Sequence, residues 1–545
     1  MKIAVLPERI SSSAAMSDVA SRIMEHFRMN NHEKQRAAYR AHCCPCCDST
    51  TDGISRRGFL GGAAALGGVA LTGLSWSMLA AEEIEQSAAP PRRPLVVKPV
   101  LCYDTPVRRP QTSWRHWGGI QTREDVEKET RRIKVELDAI QAAADFPVQF
   151  LPVAALRTPG ELDSVKQEIA DADSTLLYAA GGYGVLEKVC EASKNVVIFC
   201  RHKSGPTYLW YEVVSPIFLR KRTDELAVKG IDDEDVVIDS QEEILWRLRS
   251  LCGLRNTVGA KILAVGGPAG WATPAAPQLA KDRFQLDIQT VSYDELGKLI
   301  KEAFADPSAV DRARRRADEY LKLPGTTLET ERKFVDNAFL LERVFRGLLK
   351  KAECRAITIN NCMGTIMPVS ETTACLPLST LNDDGYMAFC ESDFVVVPAG
   401  MLLRNIAGVP QFMNDPTYPH DGIITLAHCT GPRKMDGKTI EPARILTHFE
   451  SDYGAAPKVE MRKGQVVTNI IPDFKAERYV GLRGEIVDAP FLPICRDQID
   501  VRFECDSLKL AERMPGFHWM TCYGDYLKEY GYALKRVGIK WEDLG

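Results

Sequence analysis

The residues with the greatest capacity for chemistry crowd into positions 375–432. Among Gly and Pro this stretch carries Asn382-Asp383-Asp384-Gly385, Cys390-Glu391-Ser392-Asp393, Phe412-Met413-Asn414-Asp415 and Ala427-His428-Cys429. Carboxylates with a histidine are the donor set of a hard or borderline divalent ion: oxygen ligands suit Mg²⁺ or Mn²⁺, and one imidazole tilts the choice toward Mn, Fe, Co or Zn. Asp and Asn are also ordinary turn formers, so the inventory alone leaves a structural role open. His428, Asn361, Asp384, Arg433 and Glu450 are candidates for binding substrate hydroxyls, each against the alternative of an ordinary surface or satisfied buried residue. Trp114-Arg115-His116-Trp117 offers rings for stacking on a sugar or across subunits, or an arm that packs on its own domain.

The elements that must position these groups read as α/β. Leu95–Tyr103, Val148–Val153, Ser174–Ala180 and Asn195–Cys200 are strand-like apolar runs, alternating with helical patterns at Thr122–Ala144, Glu161–Ala172 and Gly184–Ser193. Such alternation implies a parallel sheet with right-handed crossovers. Gly181-Gly182-Tyr183-Gly184 follows a strand, but neither a dinucleotide fingerprint nor a P-loop is complete, so a tight turn is the expectation. A second α/β unit begins at Lys261–Val265, followed by Leu286–Val291 and helices at Tyr293–Phe304, Ala309–Leu321 and Thr330–Lys351. Its last strands are Cys354–Asn360 and Tyr386–Cys390. Chemistry in such sheets sits at the carboxyl ends of strands, which here places Asn361, Cys362 and Glu391-Ser392-Asp393.

From about Thr447 the texture changes to short alternating runs: Lys458–Met461, Gln465–Ile471, Arg478–Val487 and Gln498–Cys505, closed by a helix at Gly524–Val537. The expected fold is therefore two Rossmann-like parallel-sheet α/β domains, 95–257 and 258–420, followed by a mostly antiparallel β domain, 421–545.

Residues 55–94 read as an export signal and linker. Ser55-Arg56-Arg57-Gly58-Phe59-Leu60 precedes an uncharged Gly/Ala/Leu/Val stretch to Ala81, the pattern of a twin-arginine signal. An uncleaved membrane anchor is the alternative, since about 20 apolar residues span a bilayer. This predicts a partner in the twin-arginine translocase and a periplasmic or membrane-anchored protein. Residues 1–55 form a long extension, with Met16 and Met29 as alternative starts, and carry Cys43-Cys44-Pro45-Cys46-Cys47, two overlapping C-x-x-C pairs with no second ligand pair at zinc-finger spacing. The other twelve cysteines show no such pairing and are expected as buried free thiols, compatible with folding in the cytosol before export.

Composition sets the outer limits. The chain's 545 residues are 45% hydrophobic and 26% charged, which is globular, and 69 Lys+Arg against 73 Asp+Glu give no basic footprint for nucleic acid or anionic lipid.

Order and spacing within 350–545 resemble the L-fucose isomerase family and its L-arabinose isomerase relatives. Cys390-Glu391-Ser392-Asp393 is similar to that family's strand-end Glu, Phe412-Met413-Asn414-Asp415 to its downstream Asp segment, and His518-Trp519-Met520-Thr521-Cys522-Tyr523-Gly524-Asp525 to its His…Tyr-Gly ending. Asn414 is inserted against the family pattern. The resemblance implies Glu391, Asp415 and His518 as ligands of Mn²⁺ or another divalent metal, with Glu391 and Asp415 as catalytic acid and base. It also implies a homo-oligomer acting on a small carbohydrate as an aldose–ketose isomerase, through an ene-diolate whose charge the metal stabilises. Two alternatives remain: a carbohydrate hydrolase or lyase on the same frame, and a non-catalytic sugar-binding protein, which would need no metal triad.

Overall fold

Strand Leu95–Cys102 is buried along almost its whole length, as a central strand of a parallel sheet covered on both faces must be. In the computed structural model, which describes residues 69–80, 88–208 and 231–545, it centres the first sheet. Ser174–Ala179, Val196–Cys200 and Val236–Ile238 add in parallel on one side; Val148–Phe150 and Ala154–Leu156 share its other edge. The sequence pattern suggests one strand over Val148–Val153, but Pro152 has no N–H to donate to a ladder and the strand divides around it. Helix Glu161–Ala172 is likewise split into Pro159–Leu162 and Lys166–Asp171; between them Ser164 Oγ donates to the Glu161 carbonyl (2.8 Å), a side-chain bond that competes with helix continuation. Helix Arg123–Ala143 is fixed at its start by a capping box between Thr122 and Asp125.

The second sheet is also parallel, in the order Val69–Ala70, Asp287–Val291, Lys261–Val265, Ala356–Ile359, Met387–Phe389. Its core side is filled by helices Tyr293–Phe304 and Arg332–Ala352, whose Leu296, Leu299, Phe339, Val344 and Leu348 are fully buried. The first edge strand is a difference from the sequence reading. Residues 69–80 fall inside the expected export stretch, yet Val69–Ala70 pairs with Gln289 and Thr290. Leu74, Trp76 and Leu79 are buried in the same core, and Trp76 Nε1–H donates to Asp306 Oδ2 (2.9 Å). The twin-arginine pair and Cys43–Cys47 lie outside the described residues. Among the described residues no helix is long and apolar enough to cross a membrane.

The C-terminal sheet closes on itself. Val466–Pro472, Trp519–Tyr523, Phe412–Pro416, Ile423–His428, Asp497–Arg502 and Arg478–Asp488 pair antiparallel in that order, and the last returns to the first, giving a six-stranded barrel. Closure removes the open edges that an antiparallel sheet would otherwise expose. The barrel starts at Phe412, earlier than the expected boundary at 421, so Asp415 belongs to it rather than to the second α/β unit. A small sheet of Thr326–Leu328, Ala443–His448 and Tyr453–Val459 stands beside it. Helix Gln241–Thr257, which the periodicity reading passes over, packs against both Val397–Ala407 and Leu527–Arg536 and ties the sheets together. The fold is thus the expected α/β class, two parallel sheets followed by an antiparallel barrel.

Candidate metal centre

Four chain segments deliver the site. Strand Met387–Phe389 ends at Cys390, and the chain then passes through two consecutive left-handed residues, Glu391 (φ 66°) and Ser392 (φ 47°). Non-glycine residues in this region carry local strain, which concentrates where a side chain must be aimed. The turn is clamped by the loop after Lys261–Val265: Ala269 N–H donates to Ser392 O (3.2 Å) and Phe394 N–H to Ala269 O (3.0 Å). From the barrel, the register Asn414↔Trp519 sets Asp415 and His518 side by side at the ends of paired strands, and Asp415↔Ala427 brings His428 to the same end.

His518 is the hub. Its Nε2 lies 3.3 Å from Glu391 Oε2 and 3.2 Å from Asp415 Oδ1, and its Nδ1 lies 2.6 Å from Asp393 Oδ2. His428 Nε2 stands 3.8 Å from Glu391 Oε1, while its Nδ1 meets Thr430 Oγ1 at 3.2 Å. The ligand atoms of Glu391, His428 and His518 all fall within 4.8 Å of one another. Asp415 is the most accessible of the four, its side chain 25% exposed, whereas His518 is closed to solvent.

The donor chemistry fits a divalent ion. With Nδ1–H donated to Asp393, neutral His518 presents its Nε2 lone pair to two carboxylate oxygens, an arrangement that only a proton or a cation makes favourable. His518 Nε2 and Asp415 Oδ1 are both buried without a hydrogen-bond partner. In the metal-free protein a proton fills the gap: although burial opposes it, Asp415, Asp393 and Glu391 push His518 well above its usual range. Burial likewise resists the charge on Glu391, but the two imidazoles beside it, His428 and His518, outweigh it and hold this carboxyl well below the carboxylate range. Burial pushes Asp415 up to about 6, against the pull of the two imidazoles.

The structure therefore brings together Glu391, Asp415 and His518, and adds His428 as a neighbour of the same rank. Asn361 sits in a left-handed turn after the adjacent strand Ala356–Ile359, at the same end of the sheet. Asp384 does not join them: its carboxylate is committed to Arg316, Arg346 and Lys434. Arg433 is fully buried elsewhere, its Nε donating to Glu441 O (2.8 Å) and Nη2 to Pro324 O (3.1 Å). Glu450 lies in the turn after Ala443–His448, 4.0 Å from His448 Nε2. In the 114–117 loop Arg115 lies over the Trp114 ring while Trp117 is exposed, and the Gly181-Gly182 turn is closed by Asp104, whose Oδ2 accepts the Gly182 N–H (2.7 Å).

Three features escaped the sequence reading. Asp393 is named there at the strand end with Glu391, but its role as the partner of His518 Nδ1 is not. Trp271 and Phe517 stack at 4.0 Å with planes 3° apart, and Phe517 meets the His518 ring edge-on at 4.8 Å, so an aromatic wall stands beside the hub. Behind His428, Cys429 shares hydrogen bonds with Cys375, Cys495 and His448, which hold its thiol well below the usual range despite burial. All twelve cysteines among the described residues are unpaired and nine are buried, in line with free thiols.

No family model matches the chain, and no curated protein matches it in sequence.

Proposed function

We propose that this protein is a divalent-metal-dependent aldose–ketose isomerase, with Mn²⁺ as the leading candidate ion, acting on a small carbohydrate. The observation that carries the reading is the convergence on His518 Nε2 of Glu391 and Asp415 from separate folding elements, with Nδ1 engaged by Asp393. The motif resemblance to the L-fucose isomerase family supports it. A divalent ion bound there would supply Lewis acidity to the two adjacent sugar oxygens on which negative charge develops.

The chain's own residues do the rest. Glu391 approaches from the strand ends of the second sheet and Asp415 from the barrel, so the two carboxylates flank the reacting carbons. One takes the proton from C2 of the aldose and returns it to C1, and the other moves the hydroxyl proton from O2 to O1, so that the carbonyl passes from C1 to C2. Asp393 fixes the His518 tautomer, and His428 stands within reach of Glu391 and of a substrate hydroxyl. Trp271, 40% exposed, gives the apolar face of a sugar a surface and keeps water from one side of the site. The proposal extends to export by the twin-arginine route and to a homo-oligomer.

Incubating the purified, Mn²⁺-supplied protein with a panel of aldoses in D₂O, followed by NMR, tests the reaction. Deuterium at C1 of the matching ketose, and at C2 of the aldose re-formed by the reverse reaction, is the expected result, lost in Glu391→Gln and Asp415→Asn. A metal-loaded protein that exchanges no C2 proton in any sugar rejects isomerisation.

A further inference from the structure

Four arginines meet at the opposite end of the second sheet, where its strands begin. Arg355 precedes Ala356–Ile359, Arg404 lies in the last turn of helix Val397–Ala407, and Arg92 and Arg93 arrive on the segment 88–94. That segment is pinned by Ala89 N–H to Asp384 O (2.8 Å) and by Arg93 N–H to Asn256 Oδ1 (2.8 Å). Arg92 spends its Nη1 on the free carbonyls of the helix end, Asn405 O (2.8 Å) and Ile406 O (3.3 Å), and Arg355 Nη1 reaches Asn405 Oδ1 at 3.5 Å. Gly408 makes room, since a Cβ there would meet Arg92 Nη2 at 2.7 Å, and Gly385 lies against Arg404 Nη2.

What is missing among the described residues is a counter-charge. Arg404 is only 9% exposed, and its Nε and Nη1, together with Arg355 Nε, are buried with no hydrogen-bond partner. Among the described residues no carboxylate forms an ion pair with either. The nearby acids are committed, Asp384 to Arg316, Arg346 and Lys434, and Asp145 to Arg249. Burial, reinforced by the neighbouring guanidiniums, pulls Arg355 down to about 10 and Arg404 to about 9. Buried charges persist in proteins when they are paired, and orphaned buried donors point to a ligand or ion.

We propose that Arg355 and Arg404, with Arg92 and Arg93 at the rim, form a binding site for a tetrahedral oxyanion of the phosphate class, separate from the metal centre. Planar guanidinium forks with free N–H groups match such an anion in both shape and charge. Glu391 lies past the carboxyl end of Met387–Phe389, whereas Arg355 and Gly385 precede the strands, so the sheet separates the two sites.

The test uses the full chain, freed of metal and of phosphate, titrated with sodium phosphate against sodium chloride at matched ionic strength, by calorimetry and by thermal melting. The expected result is a saturable heat and a rise in Tm with phosphate that chloride does not reproduce. His518→Gln should retain it, because the metal centre is not involved. Arg404→Met and Arg355→Met should each weaken phosphate binding at least about tenfold. If Arg404→Met does not fold, Arg355→Met, at a half-buried position, decides alone. Phosphate indistinguishable from chloride, or equal phosphate affinity in a folded arginine variant, overturns the proposal, and so does loss of the response in a folded His518→Gln protein.

Discussion

Replacing Asp393 by Asn changes one oxygen to nitrogen and tests how the centre is built. In the native site Asp393 Oδ1 accepts from Trp271 N–H (3.2 Å) and Val395 N–H (3.1 Å), while Oδ2 faces His518 Nδ1 (2.6 Å). The two backbone donors leave Asn only one sensible orientation, with its carbonyl toward them and its NH₂ toward His518. Nδ1 must then accept, the ring proton moves to Nε2, and the lone pair aimed at Glu391 and Asp415 is lost. Losing the partner that orients a ligating histidine costs about 10–100-fold in metal affinity, or about 1.4–2.7 kcal/mol. Competition of Asp393→Asn with a chromophoric chelator for Mn²⁺ or Zn²⁺ measures this, with a melt of the chelator-treated variant as a check on folding. A dissociation constant within about twofold of wild type would refute the tautomer argument.

Three further outcomes follow from the same geometry. His518 is held protonated in the metal-free protein above its ordinary value of 6.5, so its contribution to stability is full below that pH and fades as pH rises through the elevated value. An incoming ion must displace that proton, so metal affinity climbs with pH; melts from pH 6 to 9 should show the gap in Tm between Mn²⁺-loaded and chelated protein widening, and a constant gap contradicts this. Trp76→Ala removes a buried indole and its bond to Asp306, and should cost about 3–5 kcal/mol in urea unfolding; a loss under about 1 kcal/mol would mean that residues 69–80 do not belong to the core. Gly253→Ala, on helix Gln241–Thr257, puts a Cβ 2.2 Å from Ile406 Cγ1 and 3.0 Å from its backbone N, so despite the better helix former it should destabilise by about 1–3 kcal/mol; a gain in stability would show that the two helices do not pack this closely.

Much of the α/β frame was legible because a parallel strand buried on both faces is an uninterrupted apolar run: Lys261–Val265 and the helix Tyr293–Phe304 stand where periodicity places them. The barrel was less legible. Phe412–Pro416 carries Asn, Asp and Pro and reads as loop until its partner Trp519–Tyr523 supplies the ladder, whereas the apolar run Ile423–His428 is too short to be told from a buried turn until Asp497–Arg502 pairs with it. Glu391, Asp415 and His518 could be named from their motifs, but their meeting at one nitrogen depends on strand register across more than a hundred residues. His428 gains its place from that register, and Asp393 from the turn after Met387–Phe389 that also aims Glu391. Asp384 and Arg433 looked available in the sequence because polar side chains do not announce the buried partners that occupy them.

We propose that Glu391, Asp415 and His518, with His428 beside them, hold a divalent ion. Elemental analysis of the purified protein after equilibration with Mn²⁺ and removal of free ion tests it most directly, with Glu391→Gln/Asp415→Asn measured alongside. The expected result is close to one equivalent in the wild type and almost none in the folded double variant. Wild-type protein that stays metal-free, or a double variant that retains the ion, would contradict it.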